Sequence, residues 1–227
     1  MSNNGSAILQ AVHIVQQVGG EADALVTMIE RAIADPASWG APGSTAAVRF
    51  GKPQTDAGLD ASGYLYDHQW LTAQAKRNTT GRGKKPVAGE FSILLDFGRK
   101  NGVASVLNFP CAVAAWSIFE SGWDFGEDFW NYWPPRHGEI ELLASRLFWW
   151  TESAKEKADY LAEQPIDSQW FYVVPLTALR DERAARELLL TPALTLLAGA
   201  EAEAALDYPQ ICRFTWPEGD DPPVVTE

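Results

Sequence analysis

The sequence EFSILLDF, residues 90–97, has the alternation of a β-strand that buries one face. One face of this strand would carry Phe91, Ile93, Leu95 and Phe97, and the other would carry Ser92, Leu94 and Asp96. Successive side chains of a strand point to opposite faces of a sheet, so we expect the first set to face a core. A glycine-containing connection at 98–102 leads into a second apolar run, VASVLNF at 103–109, and together they predict a β-hairpin over 90–109.

Other strand patterns lie on both sides of this hairpin. GYLYDHQWL (63–71), WFYVVPL (170–176) and ICRFTW (211–216) alternate or are rich in aromatic and β-branched residues, and 46–50 is a shorter candidate. CAVAAWSIF (111–119) is compatible with a buried strand or with a short helix, because periodicity cannot separate the two in so short a run. The middle of the chain is therefore expected to form a sheet.

Helical spacing of apolar residues occurs near both ends. The first 34 residues predict two short helices interrupted by Gly19-Gly20. The second of these would place on one stripe Leu25, Met28, Ile29 and Ile33. Apolar residues at helical spacing predict a kinked or divided helix over 138–164, and Thr177 and Thr191-Pro192 predict the starts of helices over 177–190 and 191–207.

This order of elements predicts an α+β fold in which a mainly antiparallel sheet packs against amphipathic helices from both ends. We expect one α+β domain over 1–216, with 1–35 as a helical hairpin at its periphery, and a mobile acidic tail over 217–227.

Composition and charge restrict the function more than the motifs do. Of 227 residues, 46% are hydrophobic and 21% are charged, which is typical of a globular protein. The net charge of −12 disfavours nucleic acids and favours cationic partners, although acidity also serves solubility. Two cysteines form no metal or disulfide pattern and are expected to be buried free thiols. The N-terminus lacks a signal-peptide pattern and no run is long enough to span a membrane, so we expect a cytoplasmic protein.

Nucleotide-binding and nucleophile motifs are absent from the sequence. GRGKKP at 81–86 departs from a phosphate-binding loop at the Lys85-Pro86 positions, and no G-x-S-x-G elbow occurs. The basic loop at 76–85 is expected to be a solvated surface, with a local contact to an anion or nucleic acid as the alternative. No cofactor and no metal site follow from these patterns.

The segment ESGWDFGEDFWNYW, residues 120–133, concentrates six aromatic side chains and four carboxylates. It has three interpretations: a piece of core with a charged rim, a surface that recognises a basic protein, or a pocket for a sugar or cationic ligand. The candidate binding residues in and after this segment are Trp123, Asp124, Glu127, Asp128, Trp130, Tyr132, Trp133, His137 and Glu139.

Two functions of different class follow from these observations. The first is a non-enzymatic acidic protein that binds a basic protein partner, for example an inhibitor of the immunity or antitoxin type. The second is a hydrolase in which His137, Glu139 and Glu141 join the carboxylates of 120–133 as acid, base or metal ligands on a small polar or glycosidic substrate.

Overall fold

A computed structural model of the chain describes residues 4–35, 48–59, 66–77, 87–98, 104, 107–117, 140–150, 169–217 and 223–226. The strands are β1 (Val48–Phe50), β2 (Gln54–Leu59), β3 (Tyr66–Arg77), β4 (Val87–Asp96), β5 (Cys111–Ser117), β6 (Ile140–Leu143), β7 (Leu147–Trp150), β8 (Trp170–Pro175), β9 (Arg213–Thr215) and β10 (Val224–Thr226). The helices are α1 (Asn4–Ala34), a 3₁₀ turn (Leu176–Ala178), α2 (Glu182–Ala185), a π-helical turn (Arg186–Leu190), α3 (Thr191–Leu197) and α4 (Ala202–Ala205).

Eight of the described strands form one sheet in the order β1, β3, β4, β5, β8, β7, β6, and β2 also pairs with β3. All of the described pairings are antiparallel, and β9 and β10 form a separate two-stranded ribbon. The predicted α+β fold with a mainly antiparallel sheet is confirmed. The division into one domain over 1–216 stays a prediction.

The two faces of this sheet pack against different layers. Alternate residues of the central strands, such as Phe91, Ala114 and Tyr172, face the second half of α1 and the helical layer formed by 182–206. The intervening residues, such as Leu94 and Val113, face a smaller layer. That second layer is supplied by Ala104, Leu107, Phe109, Cys212, Phe214 and Trp216. The two residue sets predicted for 90–97 therefore lie on opposite faces of the sheet: Phe91, Ile93 and Leu95 in the main core and Leu94 in the smaller one.

Helix α1 is a single helix, so the prediction of two short helices broken at Gly19-Gly20 is wrong. Two glycines cost a helix only about 1 kcal/mol each relative to alanine, which does not break the hydrogen-bonded segments on either side. Ile29 and Ile33 are buried on the predicted stripe. Val12 and Ile14, in the first half, are 45% and 55% exposed. Among the described residues, no helix is long and apolar enough to cross a membrane.

Residues 140–150 form a β-hairpin where the sequence predicted a helix over 138–164. Leu143 and Leu147 have the four-residue spacing of a helix face, but these two residues face each other across β6 and β7. The hairpin turns through Ala144 and Ser145, whose φ angles are 51° and 56°, and the N–H of Arg146 donates to the carbonyl of Leu143 at 3.0 Å. Positive φ at both central residues is the conformation of the tight turns that match the twist of a hairpin.

We expect the double substitution Ala144→Asn and Ser145→Gly to raise the free energy of unfolding by about 1 kcal/mol, because Asn-Gly adopts positive φ with less strain than Ala-Ser. Urea unfolding followed by circular dichroism measures the change. Ala144→Val is the control and should lower stability, because a β-branched residue is disfavoured at positive φ. Equal stability of the two variants would contradict the assignment of the turn.

The second helical layer begins later than predicted and runs without a break through the proline. Asp181, not Thr177, is the N-cap, and its carboxylate accepts the N–H of Ala184 at 2.8 Å. Pro192 has no N–H to donate to the carbonyl one turn back, and the preceding residues form the π-helical turn. The hydroxyl of buried Tyr172 donates to the carbonyl of Leu189 in this turn at 2.6 Å. The layer is thus fixed to the centre of the sheet.

The hairpin predicted over 90–109 is wrong. After β4 the chain does not return along it through 103–109, where Ala104 and Leu107 are helical; the strand that follows and pairs with β4 is β5, at 111–117. Within the predicted tail, Val224–Thr226 pairs with β9, and the mobility of the tail stays a prediction. The run at 111–119 was compatible with a strand or a short helix, and the structure has a strand there, over Cys111–Ser117.

Candidate functional site

The predicted binding residues lie outside the described part of the chain, which has a gap at 118–139. These are Trp123, Asp124, Glu127, Asp128, Trp130, Tyr132, Trp133, His137 and Glu139. Residues 78–85 of the basic loop at 76–85 lie outside the described part as well. The acid–base role predicted for His137 therefore stays a prediction.

A histidine, an aspartate and a cysteine lie side by side on neighbouring strands. His68 of β3 pairs in register with Asp96 of β4, and Asp96 pairs with Cys111 of β5. All three residues are buried. Histidine, aspartate and cysteine are the residue types of a nucleophilic site. Whether these three residues could form one depends on the protonation state of the Cys111 thiol.

The Cys111 thiol is held in its protonated form. Burial first, and then the nearby charge of Asp96, raise the pKa of Cys111 well above its ordinary value. Burial also raises the pKa of the second free thiol, Cys212, to about 12. Since the thiolate is the nucleophile, neither cysteine is set up for attack at neutral pH. The row is part of the packed core, and the expected buried free thiols are confirmed.

A cleft of about 570 Å³ opens between the β6–β7 hairpin and the connection from α3 to α4. We call it the acidic cleft, because Glu141, Glu201 and Glu203 contribute to its walls. Its other lining residues are Leu143, Ala144, Leu147, Trp149, Leu196, Gly199, Ala200 and Ala202. Among the described residues, no lysine, arginine or histidine lines it.

Strand register places one carboxylate beside an aromatic ring in this cleft. Glu141 of β6 faces Trp149 of β7, and both residues are partly exposed. Leu147, two residues before Trp149, is fully buried on the same face and contributes to the main core. The hairpin therefore holds Glu141 and Trp149 at the edge of that core, where polar and aromatic groups meet solvent.

The end of α3 places the other two carboxylates opposite this pair. Gly199 has a φ of 90°, and its N–H donates to the carbonyl of Leu196 at 2.8 Å, so the helix ends there and the chain turns. Glu201 and Glu203 follow at the beginning of α4, and both are exposed. Acidic residues at the start of a helix also interact favourably with its dipole.

The arrangement of these groups suits the recognition of a cationic side chain. Carboxylates accept charge-assisted hydrogen bonds from ammonium and guanidinium groups, and an indole ring attracts a cation over its face. The carboxylates belong to different walls, and no group of three potential metal ligands converges among the described residues. The carboxylates and the indole ring can attract a cation through charge and ring contact.

The sequence indicated only one part of this cleft. Glu141 was among the candidate acid–base residues because it follows His137 and Glu139 closely. Glu201 and Glu203 lie sixty residues away along the chain in an alanine-rich segment, AEAEAA, that resembles an ordinary solvated helix. No local sequence motif distinguishes these two glutamates, because only the fold brings them into the same cleft as Trp149.

Comparisons of the chain with protein-family models, with curated proteins and with solved structures found no match.

Proposed function

We propose that the protein is a non-enzymatic binding protein whose acidic cleft takes a lysine or arginine side chain from the surface of a basic protein partner. The observation that supports this most directly is the composition of the cleft. Glu141, Glu201 and Glu203 line the same cleft as the partly exposed Trp149, and no basic group of the described residues lines it. Such a site combines cation–ring attraction with charge-assisted hydrogen bonds.

The overall charge acts in the same direction. A net charge of −12 attracts a basic protein from beyond contact distance and speeds the encounter, and this effect weakens as salt screens the field. Charge attracts many cations without selecting among them, whereas Glu141 and Trp149, which are opposite each other in the hairpin, present a carboxylate beside an indole ring. The long-range field would raise the rate of association, and the cleft would determine which partner is bound.

A basic toxin or nuclease-like protein is one kind of partner that such a surface fits. An inhibitor of the immunity or antitoxin type needs an acidic, rigid surface that covers cationic groups of its target. We place this function in the cytoplasm, as expected from the sequence. This narrower assignment depends on the acidic cleft being a contact surface, which the following experiment tests.

The experiment compares two variants that each remove two negative charges. Glu201→Gln with Glu203→Gln alters the acidic cleft, whereas Glu21→Gln with Glu187→Gln alters exposed carboxylates outside it. The probe is a fluorescein-labelled peptide rich in lysine and arginine, followed by anisotropy at low salt. We expect the cleft variant to bind roughly threefold to tenfold more weakly than the native protein, since each exposed ion pair contributes up to about 1 kcal/mol.

The matched variant should retain nearly all of the affinity, because its charge change is equal but distant from the cleft. Urea unfolding of both variants checks that the fold is unaffected. If the two variants lose affinity equally, the peptide responds only to net charge and the acidic cleft is not a recognition site. Unchanged binding by the cleft variant would equally refute the proposal.

A further inference from the structure

A second cleft, of about 700 Å³, carries the opposite charge. It lies where β8 leads into the 3₁₀ turn, beside the segment that enters β9 and the strand β10. We call it the arginine cleft, because Arg146, Arg180 and Arg213 line it. Asp207 is the only carboxylate among its described lining residues. A local excess of arginine in a chain of net charge −12 has to be explained by something other than composition.

Arg146 is buried and incompletely partnered. Its side chain is 5% exposed, and one terminal guanidinium nitrogen lies 3.4 Å from a carboxylate oxygen of Asp207, whose own side chain is 79% exposed. The Nε atom is buried, and none of the residues that the structure describes supplies a hydrogen-bond acceptor for it. A guanidinium has five N–H donors, and burying such a donor without an acceptor is unfavourable because the donor loses its hydrogen bonds to water. Nε itself is closed to solvent, so an anion in the cleft would accept from the terminal guanidinium nitrogens, where the existing contact with the exposed Asp207 is long at 3.4 Å.

The turn that carries Arg146 is itself strained. Ala144 and Ser145, the two residues before it, have positive φ, and the carbonyl of Ser145 accepts the N–H of Phe214 at 2.7 Å. The position of the Arg146 backbone is thereby fixed to the β9 segment, which carries Arg213. Strain of this kind is found at binding sites, where the surrounding structure holds a side chain in place before the ligand arrives.

The remaining walls combine exposed cations, hydroxyl groups and apolar surface. Arg180 and Arg213 are exposed at the rim, and Thr177 and Thr226 also line the cleft. Phe109, Pro175, Ile211 and Val225 supply its apolar part. Cys212 is a further lining residue, and burial raises its pKa to about 12, so its thiol adds no negative charge at neutral pH.

We infer that the arginine cleft binds a small organic anion, a carboxylate or phosphate group joined to an apolar body. Arg146 binds the anionic group in bidentate fashion from within, and Arg180 and Arg213 neutralise its remaining charge from the rim. Arginine is suited to this role because its planar donors match the geometry of a carboxylate or a phosphate. A cleft of this volume is large enough for a small molecule, and its walls offer both polar or charged groups and apolar surface.

This site is separate from the acidic cleft, although the two lie on either side of one turn. Ala144 lines the acidic cleft, and Arg146, two residues later, lines the arginine cleft. The two ligand classes are opposite in charge and the lining sets share no residue. Failure of one proposal would therefore leave the other standing.

The test is calorimetric titration with phenyl phosphate and with benzoate, and benzyl alcohol serves as the neutral analogue. We expect at least one anion to bind measurably and the alcohol not to bind, and the preferred anion distinguishes phosphate from carboxylate recognition. Arg146→Lys should weaken binding roughly tenfold, because an ammonium group cannot make the bidentate contact. Arg180→Gln with Arg213→Gln, both at the exposed rim, should weaken it by a comparable factor without disturbing the core.

Arg183→Gln is the control for loss of an exposed positive charge elsewhere, since Arg183 is 81% exposed, pairs with Glu187 and lies outside the arginine cleft. It should leave the affinity unchanged. If Arg146→Lys does not fold, the anion affinity of the Arg180→Gln and Arg213→Gln double variant tests the inference by itself. The inference is overturned if neither anion binds more tightly than benzyl alcohol, or if Arg183→Gln weakens binding as much as the cleft variants do.

Discussion

Replacing Gly89 by alanine is expected to lower the free energy of unfolding by about 3 kcal/mol or more, from the addition of a single methyl group. An ideal Cβ at this position would lie 2.5 Å from the carbonyl oxygen of Ser117 and 2.5 Å from Cζ2 of Trp116. Neither neighbour can easily move. Ser117 ends β5, which pairs with β4, and Trp116 is fully buried between the sheet and its helical layer.

The matched control is the same substitution at a position with space. At Gly20, in the middle of α1, no heavy atom lies within 4 Å of an added Cβ. Gly20→Ala should therefore raise stability by about 0.5–1 kcal/mol through helix propensity. Urea unfolding of both variants measures the contrast. Equal effects at the two glycines would mean that β4 does not approach β5 as closely as described.

A double-mutant cycle assigns the cost of Gly89→Ala to its neighbours. Trp116→Phe removes the part of the indole ring that the new methyl group would meet. The combined variant should be less destabilised than the sum of the two single variants by about 1 kcal/mol, because the ring contact is relieved and the Ser117 carbonyl contact stays. Strict additivity would show that the indole ring is not the obstacle.

How far the sequence predicts this fold depends on whether a segment carries a regular period. The strand at 90–97 alternates without error, and its two residue sets divide between two cores as expected. The predicted strand at 211–216 alternates in the same way: Phe214 is buried in the smaller core and Trp216, two residues later, packs against it. In such segments the two faces of the strand can be assigned from the sequence, because residues of one face occur at every second position.

The hairpin at 140–150 could not be predicted because its residues imitate a helix. Leu143 and Leu147 are four residues apart, which places them on one face of a helix and equally on opposite positions of a tight hairpin. The turn between them is Ala-Ser, which lacks the Asn-Gly signature that normally reveals such a turn. The edge strand β2, QTDAGL, was not predicted for a different reason: it has few apolar residues and therefore no alternation that would indicate a strand.

Both clefts were beyond sequence reasoning for a topological reason. Arg146, Arg180 and Arg213 lie more than thirty residues from one another along the chain, and none belongs to a local motif. They meet because the β6–β7 hairpin, the end of β8 and the start of β9 converge on one side of the sheet. The aromatic-acidic segment at 120–133 drew attention through local composition, whereas the cationic groups of the arginine cleft are assembled by folding alone.

Asp96→Ala is expected to lower the free energy of unfolding by about 3 kcal/mol. Asp96 is fully buried, and its two carboxylate oxygens accept the N–H groups of Gly98 at 2.9 Å and Ala104 at 2.8 Å. These bonds fix the chain where it leaves β4 and bring Ala104 into the smaller core. Removing the carboxylate leaves the Ala104 N–H buried without this acceptor, and the loss is larger than for a neutral bond because the acceptor is a carboxylate.

Asp181→Ala is the comparison that separates burial from hydrogen bonding as such. The carboxylate of Asp181 also accepts a backbone N–H, that of Ala184 at 2.8 Å, but it does so on the surface, where water can replace it. Its loss should cost about 1 kcal/mol. Hydrogen exchange supplies the local readout, since Asp96→Ala should accelerate exchange of the Ala104 amide by more than the global loss of stability explains. If the two substitutions cost the same, the buried carboxylate does not hold this segment, and the smaller core is stabilised by apolar packing alone.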